Sequence, residues 1–223
     1  VPDMPEDPSF YIHALAERRY FEKAALTAED MARASHYAAN RRRREMVEAS
    51  EDFDSFLVSL GTVATLEPLN DSNIGRAVQL INKSNQFNLT GVKRGQSEVR
   101  ELSENAHWLT LAVSLKDKCG DNGRISVLLL HKDGDTLVVE GWVMSCRVLQ
   151  RGLEDRILAE LVKHADKMGC SRIEGRYRAT EKNGLVKNLF ETPGFTLGGE
   201  ENRVESWFAD TTSPALAVAN HIN

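Results

Sequence analysis

Thr136-Leu-Val-Val-Glu-Gly-Trp-Val-Met144, Ser145-Cys-Arg-Val-Leu-Gln-Arg-Gly152 and Leu153-Glu-Asp-Arg-Ile-Leu-Ala-Glu-Leu-Val-Lys-His-Ala-Asp-Lys-Met-Gly169 follow one another without a break, and their reading decides the fold. The first block is rich in β-branched and aromatic residues and predicts a strand. The second is a short turn that closes on a glycine. In the third, Leu153, Ile157, Leu158, Leu161, Val162 and Ala165 recur at helical spacing as one apolar stripe, and Gly169 is placed as the C-terminal stop. Ile173, Gly175 and Tyr177 then alternate as a further strand, so the helix crosses between two strands in a βαβ arrangement.

Outward from this unit, Trp108 to Leu115 and Gly123 to Leu130 predict two more strands, the second the more buried. Asp133-Gly134-Asp135 separates the latter from Thr136, and Asp-Gly between apolar strands is a hairpin signal. The same residues are superficially similar to the Asp-x-Asp-x-Thr nucleophile loop of haloacid-dehalogenase phosphatases, but Leu137 stands at the threonine position; Asp52-Phe-Asp54 fails because its flanks are helical and charged. Further upstream, helices are predicted from Ser9 to Phe21, from Thr27-Ala-Glu-Asp30 onward, from Phe53 to Leu60 and from Asp71-Ser72-Asn73 through Ile81, with a strand at Val63 to Leu66. Downstream come a helix through Leu185, Leu189 and Phe190, a turn at Pro193-Gly194-Phe195 and a last strand from Val204 to Phe208. The expected organisation is a helical segment over 1–60, one α/β (α+β) domain over 61–210 and a flexible tail over 211–223.

The 223 residues, 41% hydrophobic and 27% charged with only 15 glycines and 6 prolines, are those of a folded domain rather than a disordered or fibrous chain. Three of the prolines, Pro2, Pro5 and Pro8, give an extended lead-in that suits an interdomain junction. The longest apolar run, Val127 to Leu130, is far short of a membrane span, and no basic-then-apolar signal segment is present. A net charge of -5 argues against general binding to nucleic-acid phosphates. Arg41 to Arg44, beside Glu45 and Glu48, reads as a solvated helix face. Three cysteines and six scattered histidines form neither a disulfide framework nor a metal motif, and a reducing cytoplasm is the simplest setting. One tract stands out: Asn82, Lys83, Ser84, Asn85, Gln86 and Asn88 surround Phe87, a loop suited either to hydrogen-bonding a ligand or to tying down its own backbone.

The strand order and the turn before the long helix resemble the GNAT acyltransferase fold, a mixed, mostly antiparallel sheet flanked by helices. In that fold the turn offers backbone amides to a pyrophosphate at a helix N-terminus. Gly152 fits the first small position of the turn, whereas Glu154 stands where a second glycine is usual, which disfavours ordinary acetyl-coenzyme A binding. A longer similarity runs through most of the chain: Val1-Pro-Asp-Met-Pro-Glu-Asp-Pro8, Phe21 with Leu26-Thr27-Ala-Glu-Asp30, Leu80-Ile-Asn-Lys-Ser-Asn-Gln-Phe-Asn88, Trp108-Leu-Thr-Leu-Ala-Val113, Gly120-Asp-Asn-Gly123 and Met144-Ser-Cys-Arg-Val148 resemble FkbH-like proteins. There a haloacid-dehalogenase-type phosphatase half precedes a GNAT-like half, and a glyceryl unit passes from 1,3-bisphosphoglycerate to an acyl carrier protein for polyketide assembly. The phosphatase nucleophile motif is absent from this sequence, so residues 1–60 read as a remnant of that half. No phosphatase turnover is expected of the chain alone, and Mg2+ is expected only with a separately supplied phosphatase half.

What the resemblance implies for chemistry centres on Cys146. It follows a strand, adjoins Arg147 and precedes a helix N-terminus, where positive potential favours the nucleophilic thiolate; the other reading is a buried structural cysteine. His107 is a candidate general base on condition that its strand end lies beside Cys146. Asn85, Gln86, Asn88, Asp121 and Asn122 are candidates for holding glyceryl hydroxyls, and Arg147, Arg151 and Gly152 for the phosphate. No cofactor is expected in the chain itself, the phosphopantetheine being carried by the partner. The alternatives are an acyl-coenzyme A-dependent N-acyltransferase and a non-catalytic docking domain. Arg172, Arg176 and Arg178, alternating with apolar residues, read either as a basic row facing an acidic carrier protein or as ordinary strand charge.

Overall fold

Period-2 burial organises the protein. The computed structural model describes residues 5–17, 33–149, 151–191, 194–216 and 221–223. Seven strands, β1 (Val63–Pro68), β2 (Trp108–Asp117), β3 (Gly120–Asp133), β4 (Thr136–Met144), β5 (Arg172–Tyr177), β6 (Thr196–Glu201) and β7 (Val204–Asp210), form one sheet in the order β1-β2-β3-β4-β5-β7-β6. Every pairing is antiparallel except β4 with β5. Among the described residues the α-helices are α1 (Tyr11–Glu17), α2 (Arg33–Glu48), α3 (Phe53–Ser59), α4 (Ile74–Lys83), α5 (Gln96–Glu104) and α6 (Leu153–Lys167). The helix start expected at Thr27 lies outside the described residues.

Alternate residues of the strands feed two cores. Leu111, Val113, Leu128, Leu130, Leu137, Val139 and Trp142 face α6, whose Leu153, Ile157, Leu158, Leu161 and Ala165 complete that layer. Ala112, Val127, Leu129 and Val143 face Ile74, Ala77, Leu80 and Ile81 of α4 and Val99 of α5. Trp142, fully buried, donates its indole N–H to Ser126 Oγ at 3.0 Å, and that hydroxyl donates to the Val143 carbonyl at 2.8 Å, so the polar atoms in this core are satisfied. Asp133 and Thr136 pair across a two-residue hairpin whose Gly134 has φ 58°, the left-handed geometry that Asp-Gly signalled.

The structure corrects the sequence reading in several places. α5 and β6 lie in stretches for which the sequence pattern predicts no element. The helix expected through Leu185, Leu189 and Phe190 is a 3-10 turn over Gly184–Val186; Phe190 instead lays its ring against Gly175, where a Cβ would come within 2.3 Å of it. The tail expected to fray packs where it is described: Leu216 and Ile222 are buried, and Asn223 pairs with Thr62 and Ala64 on the outer edge of β1. Arg43, expected on a solvated face, is buried and meets Asp117 of the β2–β3 hairpin at 2.8 Å, while Arg41 remains exposed. Among the described residues no helix is long and apolar enough to cross a membrane.

His131 gives the fold a pH dependence. Its ring stacks near Trp108, 4.9 Å between centroids, and its buried Nδ1 has no hydrogen-bond partner. Burial pushes its pKa down, against smaller pulls from Glu140, Asp133 and Glu174 and a push from Arg176 in the same direction as burial. A histidine with a depressed folded pKa leaves stability intact above its unfolded value of about 6.5 and removes it as pH falls, because the unfolded chain takes up the proton first. The urea midpoint is therefore expected to fall between pH 7.5 and 5.5, and to fall less in His131→Phe; an equal fall in both proteins would assign the effect elsewhere.

Candidate functional site

β4 and β5 run parallel for only four residue pairs, Thr136 to Val139 against Arg172 to Gly175, and then part. Such a wedge exposes the amides and carbonyls along the free edge of β4, which need partners. The chain supplies them itself. Leu89 N–H donates to the Trp142 carbonyl at 3.1 Å, Met144 N–H donates to the Phe87 carbonyl at 3.0 Å, and Asn88 bridges antiparallel to Val143. On the other side Arg178 N–H donates to the Leu89 carbonyl at 2.9 Å, and the buried Asn183 side-chain amide donates to the carbonyls of Asn88 and Arg178. The amide-rich tract is thus a plug between the two strands, and it brings Asn85 and Gln86 to the C-terminal end of β4.

Cys146 stands at that same end. Ser145 N–H makes the last link to β3 through the Ile125 carbonyl at 2.7 Å, and its hydroxyl accepts from Arg147 N–H, capping a 3-10 turn over Cys146–Val148. Buried Val148 pins the turn from below. Cys146 is exposed, whereas Cys119 and Cys170 are buried. Gly152, with φ 72°, then turns the chain into α6, where Glu154 and Asp155 occupy the first turn. Burial raises the pKa of Glu154, so a carboxyl group that resists ionisation sits where an anion would otherwise meet the helix N-terminus.

The remaining predicted residues divide. Asn85 and Gln86 are exposed beside the end of β4, and Asn85 Oδ1 accepts from Lys93 Nζ at 2.9 Å. Asn88 is buried and spends its Oδ1 on Gly91 N–H, so it ties down its own loop. Asn122 is buried and committed to Arg43 and Asp117, and exposed Asp121 accepts from Gly123 N–H in the hairpin; neither joins Cys146. Arg151, expected at a phosphate, donates to the Arg147 carbonyl at 2.8 Å and lies 3.5 Å from Asp117, and burial with the nearby Arg43 lowers its pKa. Arg147 is half-buried and donates to Ser145 Oγ at 3.2 Å. His107 precedes β2 and bonds to Lys132, at the opposite end of the strands from Met144. The run of β4 from Leu137, opposite Lys132, to Met144 at about 3.3 Å per residue puts it more than about 20 Å from Cys146, so the condition for its role as base is not met.

The arginine row, read either as a basic strip or as ordinary strand charge, is not made of arginines alone. Ile173, Gly175 and Tyr177 are buried, and the arginines do alternate with them, but Glu174 shares the arginines' face. Arg176 bonds both Glu174 and Glu140, the extra residue of a bulge in β4, so this face carries an ion-pair network rather than a basic strip. A cleft of about 310 Å³ opens there, bordered by Thr90, Glu140, Arg178, Asn202 and Ser206.

Solved structures resemble this architecture. The ribosomal-protein-S18-alanine N-acetyltransferase of Escherichia coli matches with a TM-score of 0.50 at 12% identity, over 68% of this chain and 96% of its own. The GNAT domain of S. lividans PAT matches with a TM-score of 0.53 at 15% identity, over 66% of this chain and 90% of its own. Spermidine N-acetyltransferase from Vibrio cholerae matches with 0.51 at 13% over 67% and 96%. The chain has the GNAT fold. The GNAT sheet, its parted parallel pair and its crossing helix are therefore the frame in which Cys146 and the plug are set. No protein-family model matches the sequence, and no curated protein is significantly similar to it.

Proposed function

We propose that the protein is an acyltransferase that carries its acyl group as a thioester on Cys146, drawing it from 1,3-bisphosphoglycerate and passing it to the phosphopantetheine thiol of an acyl carrier protein in polyketide assembly. The observation that carries this reading is the exposed thiol at the end of β4, on a turn held by Ser145 and Val148, with the amide tract brought to the same end. The Cys146 thiol loses its proton to solvent and attacks the C1 carbonyl; the carbon–sulfur bond forms, the carbon–oxygen bond to phosphate breaks, and inorganic phosphate leaves. Arg147, adjacent in the turn, offers the departing phosphate a positive charge. The carrier thiolate then attacks the thioester and Cys146 thiolate is released. The unit first carried is 3-phosphoglyceryl, and a separate phosphatase half would convert it to glyceryl.

Coenzyme A-dependent N-acylation is the second reading, favoured by the N-acetyltransferases that share the fold. It asks a pantetheine arm, with its own amides, to find a place on a strand edge that Phe87 and Leu89 already occupy. Intact-mass measurement after incubation with 1,3-bisphosphoglycerate separates the two. A 3-phosphoglyceryl adduct that hydroxylamine removes is expected; saturable coenzyme A binding with no adduct would decide for N-acylation.

A further inference from the structure

Beside the plug, the loop over residues 85–91 and the segment after β5 enclose a cleft of about 310 Å³ lined by Asn85, Asn88, Gly91, Thr180, Glu181 and Lys182. Gly91, with φ 69°, lets the two walls meet, since a Cβ there would stand 2.8 Å from Thr180 Cγ2. The hydrogen-bonding character of the cleft follows from what its side chains have already spent. Lys93 Nζ shares its three hydrogens among four oxygens within hydrogen-bond distance, the carbonyls of Ile81, Asn82 and Ser84 and Asn85 Oδ1, the last being the shortest at 2.9 Å. An ammonium can only donate, so Asn85 must turn its oxygen toward Lys93 and its NH2 away from it. Thr180 Oγ1 accepts from the backbone N–H of Lys182 and Asn183, at 3.4 and 3.2 Å, which leaves its hydroxyl hydrogen to donate. Lys182 is exposed and its ammonium makes no ion pair among the described residues. Its positive charge nonetheless reaches Lys93, whose pKa is lowered first by burial and then by Lys182. Three donors, one of them cationic, thus border the cleft, against the single exposed carboxylate of Glu181.

We infer that this cleft is a phosphate subsite, in which Lys182, Thr180 and Asn85 hold the phosphomonoester of a small phosphorylated hydroxy acid. The identity of that acid as the acyl donor rests on the reading of Cys146 given above; the subsite itself rests on the donors. Its place fits the role, because Asn85 and Cys146 each stand two residues beyond the Phe87–Met144 link, at one end of β4. A phosphate anchored there sets the far end of a three-carbon donor whose acyl end is to meet the thiol.

The test uses the full chain and 3-phosphoglycerate, which carries the phosphate and hydroxyl of the donor but no acyl phosphate and so cannot acylate Cys146. Amide chemical shifts over residues 85–91 and 180–183 are expected to move saturably. Lys182→Ala is expected to weaken binding about tenfold or more, the loss of one charge-assisted hydrogen bond. Asn85→Asp keeps an oxygen for Lys93 but replaces the donor by a negative charge, and should weaken binding at least as much. Absence of binding at millimolar ligand, or equal affinity in both variants and the parent, overturns the subsite. So does a response at these residues to 4′-phosphopantetheine but not to 3-phosphoglycerate. An adduct-free Cys146 with intact 3-phosphoglycerate binding would sink the covalent reading and leave the subsite standing, and the converse pattern would do the reverse.

Discussion

Asp117→Ala is expected to destabilise the protein by about 3–5 kcal/mol, the usual consequence of leaving a buried charge without its partner. The Asp117 side chain is fully buried at the β2–β3 hairpin and accepts from Arg43 Nε and Nη2, each at 3.0 Å, from Asn122, and from the backbone N–H of Cys119 and Gly120. Arg151 approaches the same carboxylate at 3.5 Å. Its removal strands two guanidinium groups against each other and loosens α2 from the hairpin, where Ala39 packs with Leu60 and Cys119. Urea denaturation is the measurement. A loss below about 1 kcal/mol would mean that water reaches this network and that α2 is not clamped by it.

Cys146→Ala is expected to lower carrier loading from 1,3-bisphosphoglycerate by about two orders of magnitude or more and to abolish the protein adduct, with the urea midpoint unchanged because the side chain is exposed. Cys146→Ser is expected to retain a trapped ester, since an alkoxide leaves less readily than a thiolate. Cys119→Ala and Cys170→Ala, altered at buried positions away from the turn, should load as the parent does. Transfer by Cys146→Ala at the parent rate would replace the covalent route with direct attack of the carrier thiol on the acyl phosphate.

Much of the fold is legible because burial repeats locally. Thr136 to Met144 alternates between two cores and its ends fall where the sequence pattern puts them; the stripe from Leu153 to Ala165 does the same for α6. α5 escapes notice because Val99 and Leu102 are its only core residues, too few to make a period. β6 escapes because all of its residues are exposed, its place set by main-chain pairing with β7. The opposite error at Leu185 to Phe190 has the opposite cause: a helical spacing of apolar residues arises here from a string of turns. In the site, the strand-end position of Cys146 can be read from its neighbours, but its exposure depends on how the following turn packs. The partnership of Arg43 with Asp117 joins residues 74 positions apart and has no local signature at all. Arg151 and Asn122 look like free ligand-binding groups only until that partnership is seen.

The plug between β4 and β5 also has a mechanical meaning. The seven strands are two panels, β1 to β4 and β5 to β7, hinged along only four residue pairs. Phe87 and Leu89 are stitched to the first panel through Met144 and Trp142, and Leu89 to the second through Arg178, with Asn183 gripping the same stretch. Opening the panels would have to break bonds on one side of this short segment or the other, so a sheet with a weak seam behaves as a single stiff plate, and the thiol at the end of β4 and the cleft beside it keep their separation when the molecule is strained.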